Sequence, residues 1–296
     1  MVESLESNEG LFPARAVGTA AIICGAVLVI MAVLGPLGTG DIEYRVAQSA
    51  KYQLLGQDIA DLVFIAPLLF IGGVMMLLGR PNAKYLLVLT PVTLMYTGLS
   101  IGIGSEWSDP LITGNVEQYT WIFMTLVIGG LFLLVGTLSM FGPVDVPDFR
   151  PKGLRTFVIV MSLFLLLFAL MWISQVVTVV DQGDLSDGSY TDDPTLFWVI
   201  RYLDLGIVIP VGFMALYLLL KQPKRAYGLV LLFFGFFATM AVSVDAMMAV
   251  QIANGDSSLG SMGPGIGIFL VLTALTFYAL YYLLRHRLEP PARSKI

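Results

Sequence analysis

Residues 57–78 of the chain read QDIADLVFIAPLLFIGGVMMLL. An α-helix rises 1.5 Å per residue, so about 20 apolar residues cross the roughly 30 Å hydrocarbon core of a bilayer. This segment therefore has the length and composition of a transmembrane helix. It also carries Asp58 and Asp61 at its start and Pro67 near its middle. Charges inside a membrane span are costly and usually functional, so the same segment predicts both the fold and a site.

The remainder of the chain has the same apolar character. Of its 296 residues, 57% are hydrophobic and 12% are charged, about half the charged share of a soluble globular protein. Eight apolar runs of transmembrane length can be read from the sequence, at residues 17–35, 57–78, 84–104, 119–141, 154–180, 196–220, 226–252 and 264–284. We therefore predict an all-α, polytopic protein with eight transmembrane helices, whose main partner is the lipid bilayer. A soluble enzyme and a nucleic-acid-binding protein are excluded.

The distribution of basic residues predicts the orientation. Thirteen of the 16 Lys and Arg residues fall in the two tails and in the loops after spans 2, 4 and 6, whereas the opposite loops hold only Arg45 and Lys51. Basic loops stay in the cytoplasm, so both termini are expected there, in the plasma membrane of a prokaryotic cell. The opposite loops carry acids instead, at residues 106–117 and 181–193.

Two stretches of the chain match each other. The heptapeptide DLVFIAP at residues 61–67 corresponds to DLGIVIP at residues 204–210, and each is followed by a proline and then a tyrosine four positions later. These followers are Pro81 with Tyr85, and Pro223 with Tyr227. Each half contains four spans, so the copies share one orientation and should be related by a pseudo-two-fold axis along the membrane normal.

The predicted organisation follows from this duplication. A cytoplasmic tail (1–16) precedes the first four-helix repeat (17–141), a cytoplasmic linker (142–153), the second four-helix repeat (154–284) and a basic cytoplasmic tail (285–296).

The repeated Asp-Leu pair followed by a proline resembles a motif of a poorly characterised group of prokaryotic multi-pass membrane proteins. The Gly56-Gln57-Asp58 run before the first copy fits the same group. The likeness covers spans 2–3 and 6–8, and it implies the topology and the repeat but no activity.

Five ionisable residues lie inside the predicted spans, in the half of the membrane away from the cytoplasm. They are Asp58, Asp61, Arg201, Asp204 and Asp245. Gln57, Gln175, Tyr96 and Tyr202 lie at similar depth and are expected to support them. Asp58 and Asp61 are expected about one turn into span 2. The repeat pairs Asp58 with Arg201 and Asp61 with Asp204, so the pseudo-two-fold axis is expected to bring Asp58 opposite Arg201.

Two interpretations of this cluster remain open. In the first, the protein is a small-solute or cation permease, or a binding protein, whose outward-facing acidic site binds a proton, a cation or a cationic solute. In the second, it is a non-transporting scaffold or sensor, and an Asp–Arg network fixes the helix packing. A formal charge of −3 does not persist in hydrocarbon, so protons, a cation or water must compensate it.

The sequence argues against an enzyme, and we expect no cofactor. A single histidine and a single cysteine exclude haem ligation by paired histidines, zinc hydrolase sites and Cys–His or Ser–His catalysis. Asp204 and Asp245 resemble the aspartate pair of intramembrane aspartyl proteases. However, the second acid stands in Val242-Ser-Val-Asp245 rather than in the Gly-x-Gly-Asp motif of those enzymes.

Overall fold

A computed structural model of the chain describes residues 10–105, 111, 113–181, 183, 190–191, 193–256 and 263–288. These residues form helices and turns, with no strand among them. Seven helices are long and apolar enough to cross a membrane. They are α1 (Ala14–Leu34), α2 (Gln48–Leu77), α3 (Ala83–Gly104), α4 (Val116–Leu138), α5 (Pro151–Val180), α6 (Pro194–Lys221) and α7 (Pro223–Ala253). The chain is therefore an all-helical integral membrane protein, as its composition predicts.

An eighth helix, α8 (Gly263–Leu288), closes the described part of the chain. It packs against α7, where the Tyr227 hydroxyl donates a 2.8 Å hydrogen bond to the Leu283 carbonyl. The length and hydropathy of a membrane span are established for the seven helices above and not for α8. The eighth predicted span therefore stays a prediction.

The acids predicted at positions 106, 109, 184, 187 and 192 lie outside the described residues.

The outward surfaces of the bundle are apolar. Large hydrophobic side chains such as Ile128 on α4 and Leu167 on α5 are two-thirds exposed, as is Val63 on α2. Lipid tails are the only solvent in which such a continuous apolar surface is favourable, because water would penalise it.

Helix α7 is the centre of the bundle. It has the largest buried share of the seven apolar helices, and it packs against α2, α3, α6 and α8. Two glycines allow backbones to meet there. A Cβ on Gly56 of α2 would meet the backbone of Met247, and one on Gly235 of α7 would meet the backbone of Leu89 on α3. Small residues at such crossings are typical of membrane bundles.

One ion pair ties the linker between α4 and α5 to the start of α3. The Lys84 ammonium lies 2.7 Å from Asp145 Oδ2 and also donates to the Met140 carbonyl at 2.9 Å. Asp145 accepts further hydrogen bonds from the Tyr85 hydroxyl at 2.8 Å and from the Gly142 N–H at 2.9 Å. Because this end of the bundle also holds the basic turns after α2 and α6, we call it the basic end, and the opposite end the acidic end.

We predict that Asp145 makes the fold sensitive to acid. Burial by itself would raise the pKa of Asp145. The hydrogen bonds from Lys84, Gly142 and Tyr85, together with the positive charge of Lys84, outweigh burial and lower this pKa below its ordinary value. A lowered folded-state pKa contributes stability above the unfolded pKa of about 3.9, and this contribution is lost as the pH falls through the folded pKa. In thermal unfolding scans, wild type should be more stable than Asp145→Asn at pH 7. The difference should shrink steadily below about pH 4, whereas a constant difference down to pH 2 would contradict this assignment.

Candidate functional site

Asp58 and Asp61 lie deeper in α2 than the hydropathy pattern predicts. The helix begins at Gln48, so both aspartates follow about three turns of helix rather than one. The first turns are polar, yet Ala50, Leu54 and Gly56 are buried where this part of α2 packs on α7. Tertiary packing therefore extends the helix beyond its apolar run.

Each of the two matched aspartates begins a π-helical turn. The turns span Asp61–Ile65 in α2 and Asp204–Val208 in α6. In both, the Asp carbonyl accepts a hydrogen bond from the residue five positions later, Ala66 or Ile209. Pro67 and Pro210 lie two residues after the ends of these turns. Because a proline has no N–H to donate, the regular series of α-helical hydrogen bonds is interrupted there. Such π-bulges recur at functional sites because they redirect side chains and release backbone carbonyls.

The first group of buried polar residues, which we call the α1–α2 acidic cluster, consists of Tyr44, Gln57, Asp58 and Asp61. Asp61 is completely buried. Its Oδ1 accepts a 2.9 Å hydrogen bond from the Gln57 amide, whereas its Oδ2 has no partner in the described part of the chain. Asp58 accepts a 3.2 Å hydrogen bond from the Leu37 N–H, just past the end of α1. Burial first, and then the nearby Asp58 and Asp61, raise the pKa of Tyr44, which keeps its hydroxyl protonated.

The second group, the Arg201 cluster, consists of Tyr96, Trp172, Gln175, Phe197, Arg201 and Asp204. The buried Arg201 guanidinium donates to the side-chain oxygen of Gln175 and, at 3.2 Å, to the Phe197 carbonyl. Its carbon lies 3.6 Å from the centre of the Phe197 ring and 4.4 Å from that of Trp172, both within the range of cation–π attraction.

Asp204 lies one turn further along α6 and is also buried. Its carboxylate interacts with Tyr96, Trp172 and the positive charge of Arg201. The Trp172 indole nitrogen stops short of a well-formed hydrogen bond. Among these groups Arg201 is the cationic one, and it offsets only part of the cost of burying the Asp204 charge, because burial is the larger effect.

Asp245 occupies a different place. It is half-buried on α7, where its Oδ2 accepts a 3.0 Å hydrogen bond from the Thr273 hydroxyl of α8, and its Oδ1 is without a partner among the described residues. The contacts of Asp245 are thus with α8, whereas those of Asp204 are with α3 and α5.

The structure brings the predicted residues together in two groups rather than one. Asp58 faces the end of α1, whereas Arg201 faces α5, so within the described residues their contacts differ from the expected face-to-face arrangement. Tyr202 lies outside both groups, because its side chain is 75% exposed on the outer surface of α6. There it lines a shallow apolar groove of about 420 Å³ with Leu99, Trp198 and other residues. Neither this groove nor a second one at residues 221–225 includes an intramembrane aspartate.

Sequence reasoning missed Tyr44, Trp172 and Phe197. Trp172 and Gln175 are three residues apart on α5 and so share a helix face, which was the available signal. Phe197 and Arg201 are four apart on α6 in the same way. Nothing in the sequence marks Tyr44, because it reaches Asp58 and Asp61 from the connection between α1 and α2. No protein-family model, curated protein or solved structure matches the chain.

Proposed function

We propose that this integral membrane protein is a permease or binding protein for a small cation or proton, and that the structure represents its closed state. The observation that carries the proposal is Asp61, a completely buried aspartate with one unpartnered carboxylate oxygen. Among the described residues, its hydrogen-bond partner is Gln57, and Asp58 and Tyr44 interact with it electrostatically; none of these three residues is cationic.

A carboxylate in these surroundings needs a neutralising partner. Leaving an isolated charge in a low-dielectric interior is prohibitively unfavourable, and the neighbouring Asp58 adds a second negative charge. The C-terminal end of α1 adds partial negative charge, because Gly35 caps the helix beside Asp58 and helix C-termini carry the negative end of the helix dipole. A bound proton or cation supplies the compensation.

The architecture we propose is that of two parallel four-helix repeats, with α8 as the eighth span, both termini in the cytoplasm of a prokaryotic cell and the acidic end outside. Three observations support the duplication. Both aspartates begin π-helical turns, both are followed by a proline, and each preceding helix, α1 or α5, faces the residue three positions before the aspartate. The likeness to multi-pass proteins with this repeated motif is part of the same proposal.

Thermal unfolding of the purified protein tests this function. We expect the unfolding midpoint to rise with one of Na⁺, K⁺, Ca²⁺ and Mg²⁺, or to shift with pH above 5, where exposed carboxylates no longer titrate. A ligand that binds only the folded state adds about 2.7 kcal/mol at one hundred times its Kd. The Asp61→Asn variant should lose this response, whereas Asp148→Asn, which changes an exposed aspartate, should retain it. In proteoliposomes, Asp61→Asn should also abolish flux of the same ion.

The scaffold interpretation is supported by the Arg201 cluster, in which the charge is met by groups of the protein itself. It predicts that Asp61→Asn and Asp204→Asn unfold earlier than wild type under every condition, with no dependence on ion, or on pH above 5, in any of the proteins. That result would end the permease proposal.

A further inference from the structure

Buried hydroxyl groups follow the crossing of α3 and α7. Thr93 of α3 and Thr239 of α7 are hydrogen-bonded to each other through their side chains, and one turn earlier Leu89 of α3 contacts Gly235 of α7. The two helices start at the same end of the bundle and keep one register through these contacts. The next turn therefore places Thr97 of α3 level with Ser243 of α7. Both are buried.

Helix α2 reaches the same level from the other side of α7. It runs antiparallel to α7, and Gly56 contacts the backbone of Met247. Four residues later on α2 and four residues earlier on α7, the antiparallel register brings Ala60 level with Ser243, and the adjoining turn Asp61–Ile65 packs on α7. Asp61 therefore lies at the level of Ser243, between the two halves of the protein.

Two independent oxygen atoms at this level have no hydrogen-bond partner in the described part of the chain. They are Oδ2 of Asp61 and Oγ of Ser243, and both residues are completely buried. A buried hydroxyl without a partner is unfavourable, and Ser243 is four residues from Thr239, so it lies on the same helix face. We propose that Asp61, Ser243 and Thr97 are ligands of one dehydrated monovalent cation, with Na⁺ the best fit, bound between α2, α3 and α7. The inference rests on the proposed function and specifies its ligand.

The donor set favours this class of ion. Carboxylate, hydroxyl and backbone carbonyl oxygens are hard ligands that suit hard cations, and the proline-terminated π-helical turn of α2 provides a carbonyl that lacks its helical donor. A hard cation such as Ca²⁺ holds oxygens at about 2.3–2.6 Å, and Na⁺ has nearly the same radius. It can therefore bridge two oxygens that are too far apart to hydrogen-bond to each other. A monovalent cation balances the charge of the one carboxylate that coordinates it, Asp61, whereas Asp58 accepts the Leu37 N–H at the end of α1 and is not a ligand.

The Arg201 cluster explains why we place one such site rather than two. The repeat aligns Arg201 with Asp58, so the second half holds a guanidinium beside Asp204, whereas the first half holds a second acid beside Asp61. The charge of Arg201 is therefore available to Asp204, whereas Asp61 has no cationic side chain beside it among the described residues.

The test is a Na⁺ titration of the full-length protein at constant ionic strength, with choline chloride as the replacement salt and the unfolding midpoint as the readout. Wild type should be stabilised by Na⁺. Ser243→Ala should unfold at the same temperature as wild type or higher without Na⁺, because an unpartnered buried hydroxyl has been removed, and its Kd for Na⁺ should be at least tenfold weaker. Thr97→Val should also bind Na⁺ more weakly. The control is Thr137→Val, a buried threonine of α4 that bonds to the Leu133 carbonyl of its own helix, and it should bind Na⁺ as wild type does.

The outcomes separate this inference from the proposed function. If Asp61→Asn abolishes the Na⁺ response but Ser243→Ala and Thr97→Val keep the wild-type Kd, the site proposed between α2, α3 and α7 is wrong and the proposed function stands. A response of wild type to pH above 5 alone, without one to Na⁺, overturns the sodium site and retains proton binding. If wild type responds to no ion and to no change of pH above 5, both proposals fail.

Discussion

Replacing Lys84 by methionine should lower the free energy of unfolding by about 3–5 kcal/mol, because it leaves a buried carboxylate without its counter-charge. Methionine keeps the length and apolar stem of lysine, so the change removes the ammonium and little packing. Asp145 would then keep the hydrogen bonds from the Tyr85 hydroxyl and the Gly142 N–H but lose the ammonium charge. The Met140 carbonyl would lose the hydrogen bond that Lys84 now donates. The linker between the two halves should detach from the start of α3.

Chemical unfolding in detergent, with helical circular dichroism as the signal, measures this loss. Arg80→Met is the matched control, since Arg80 is an exposed basic residue at the same end of the bundle, and an exposed substitution should stay within about 0.5 kcal/mol of wild type. In a double-mutant cycle, Lys84→Met should cost much less when Asp145 is already Asn. Equal losses for Lys84→Met and Arg80→Met would mean that the ion pair does not hold the linker.

The fold class could be predicted from the sequence because hydropathy alone determines it. Seven of the predicted apolar runs correspond to helices of transmembrane length. Hydropathy does not place the helix ends, which depend on packing. The polar first turns of α2 are helical because Ala50, Leu54 and Gly56 face α7, and no local pattern reveals that partner.

The candidate site was predicted in part. The cost of charge in a membrane pointed to Asp61, Asp204 and Arg201, and the structure finds all three buried. What the sequence could not provide is which helices meet. Pairing by the repeat alone placed Asp58 against Arg201, whereas each residue packs on the helix that precedes it in its own half. Nothing in the sequence marks Ser243, because a serine in an apolar run carries no signal of an unsatisfied hydroxyl.

The packing between the two halves leads to the second large effect. Helix α2 meets α7 at Gly56, where a Cβ would lie 2.8 Å from the carbonyl carbon of Ala246 and closer still to the backbone of Met247. Helix α6 meets α3 at Gly104, where a Cβ would lie 2.9 Å from Cα of Leu196. Backbone atoms cannot move aside as the end of a side chain can, so an added methyl group forces the helices apart.

Gly56→Ala should therefore cost about 3 kcal/mol, the upper end of the usual range for overpacking, and Gly104→Ala about 1–3 kcal/mol. Gly206→Ala is the control, because nothing lies within 4 Å of a Cβ at that position; the higher helix propensity of alanine should leave it unchanged or up to about 1 kcal/mol more stable. Under the proposed pseudo-two-fold symmetry, α2 on α7 and α6 on α3 are equivalent crossings, so both substitutions loosen the same interface between the halves.

If the Na⁺ site lies at the α2–α7 crossing, Gly56→Ala should weaken Na⁺ binding as well as stability, and Gly104→Ala should lower stability alone. A wild-type Na⁺ affinity in Gly56→Ala would place the ion away from the α2–α7 crossing.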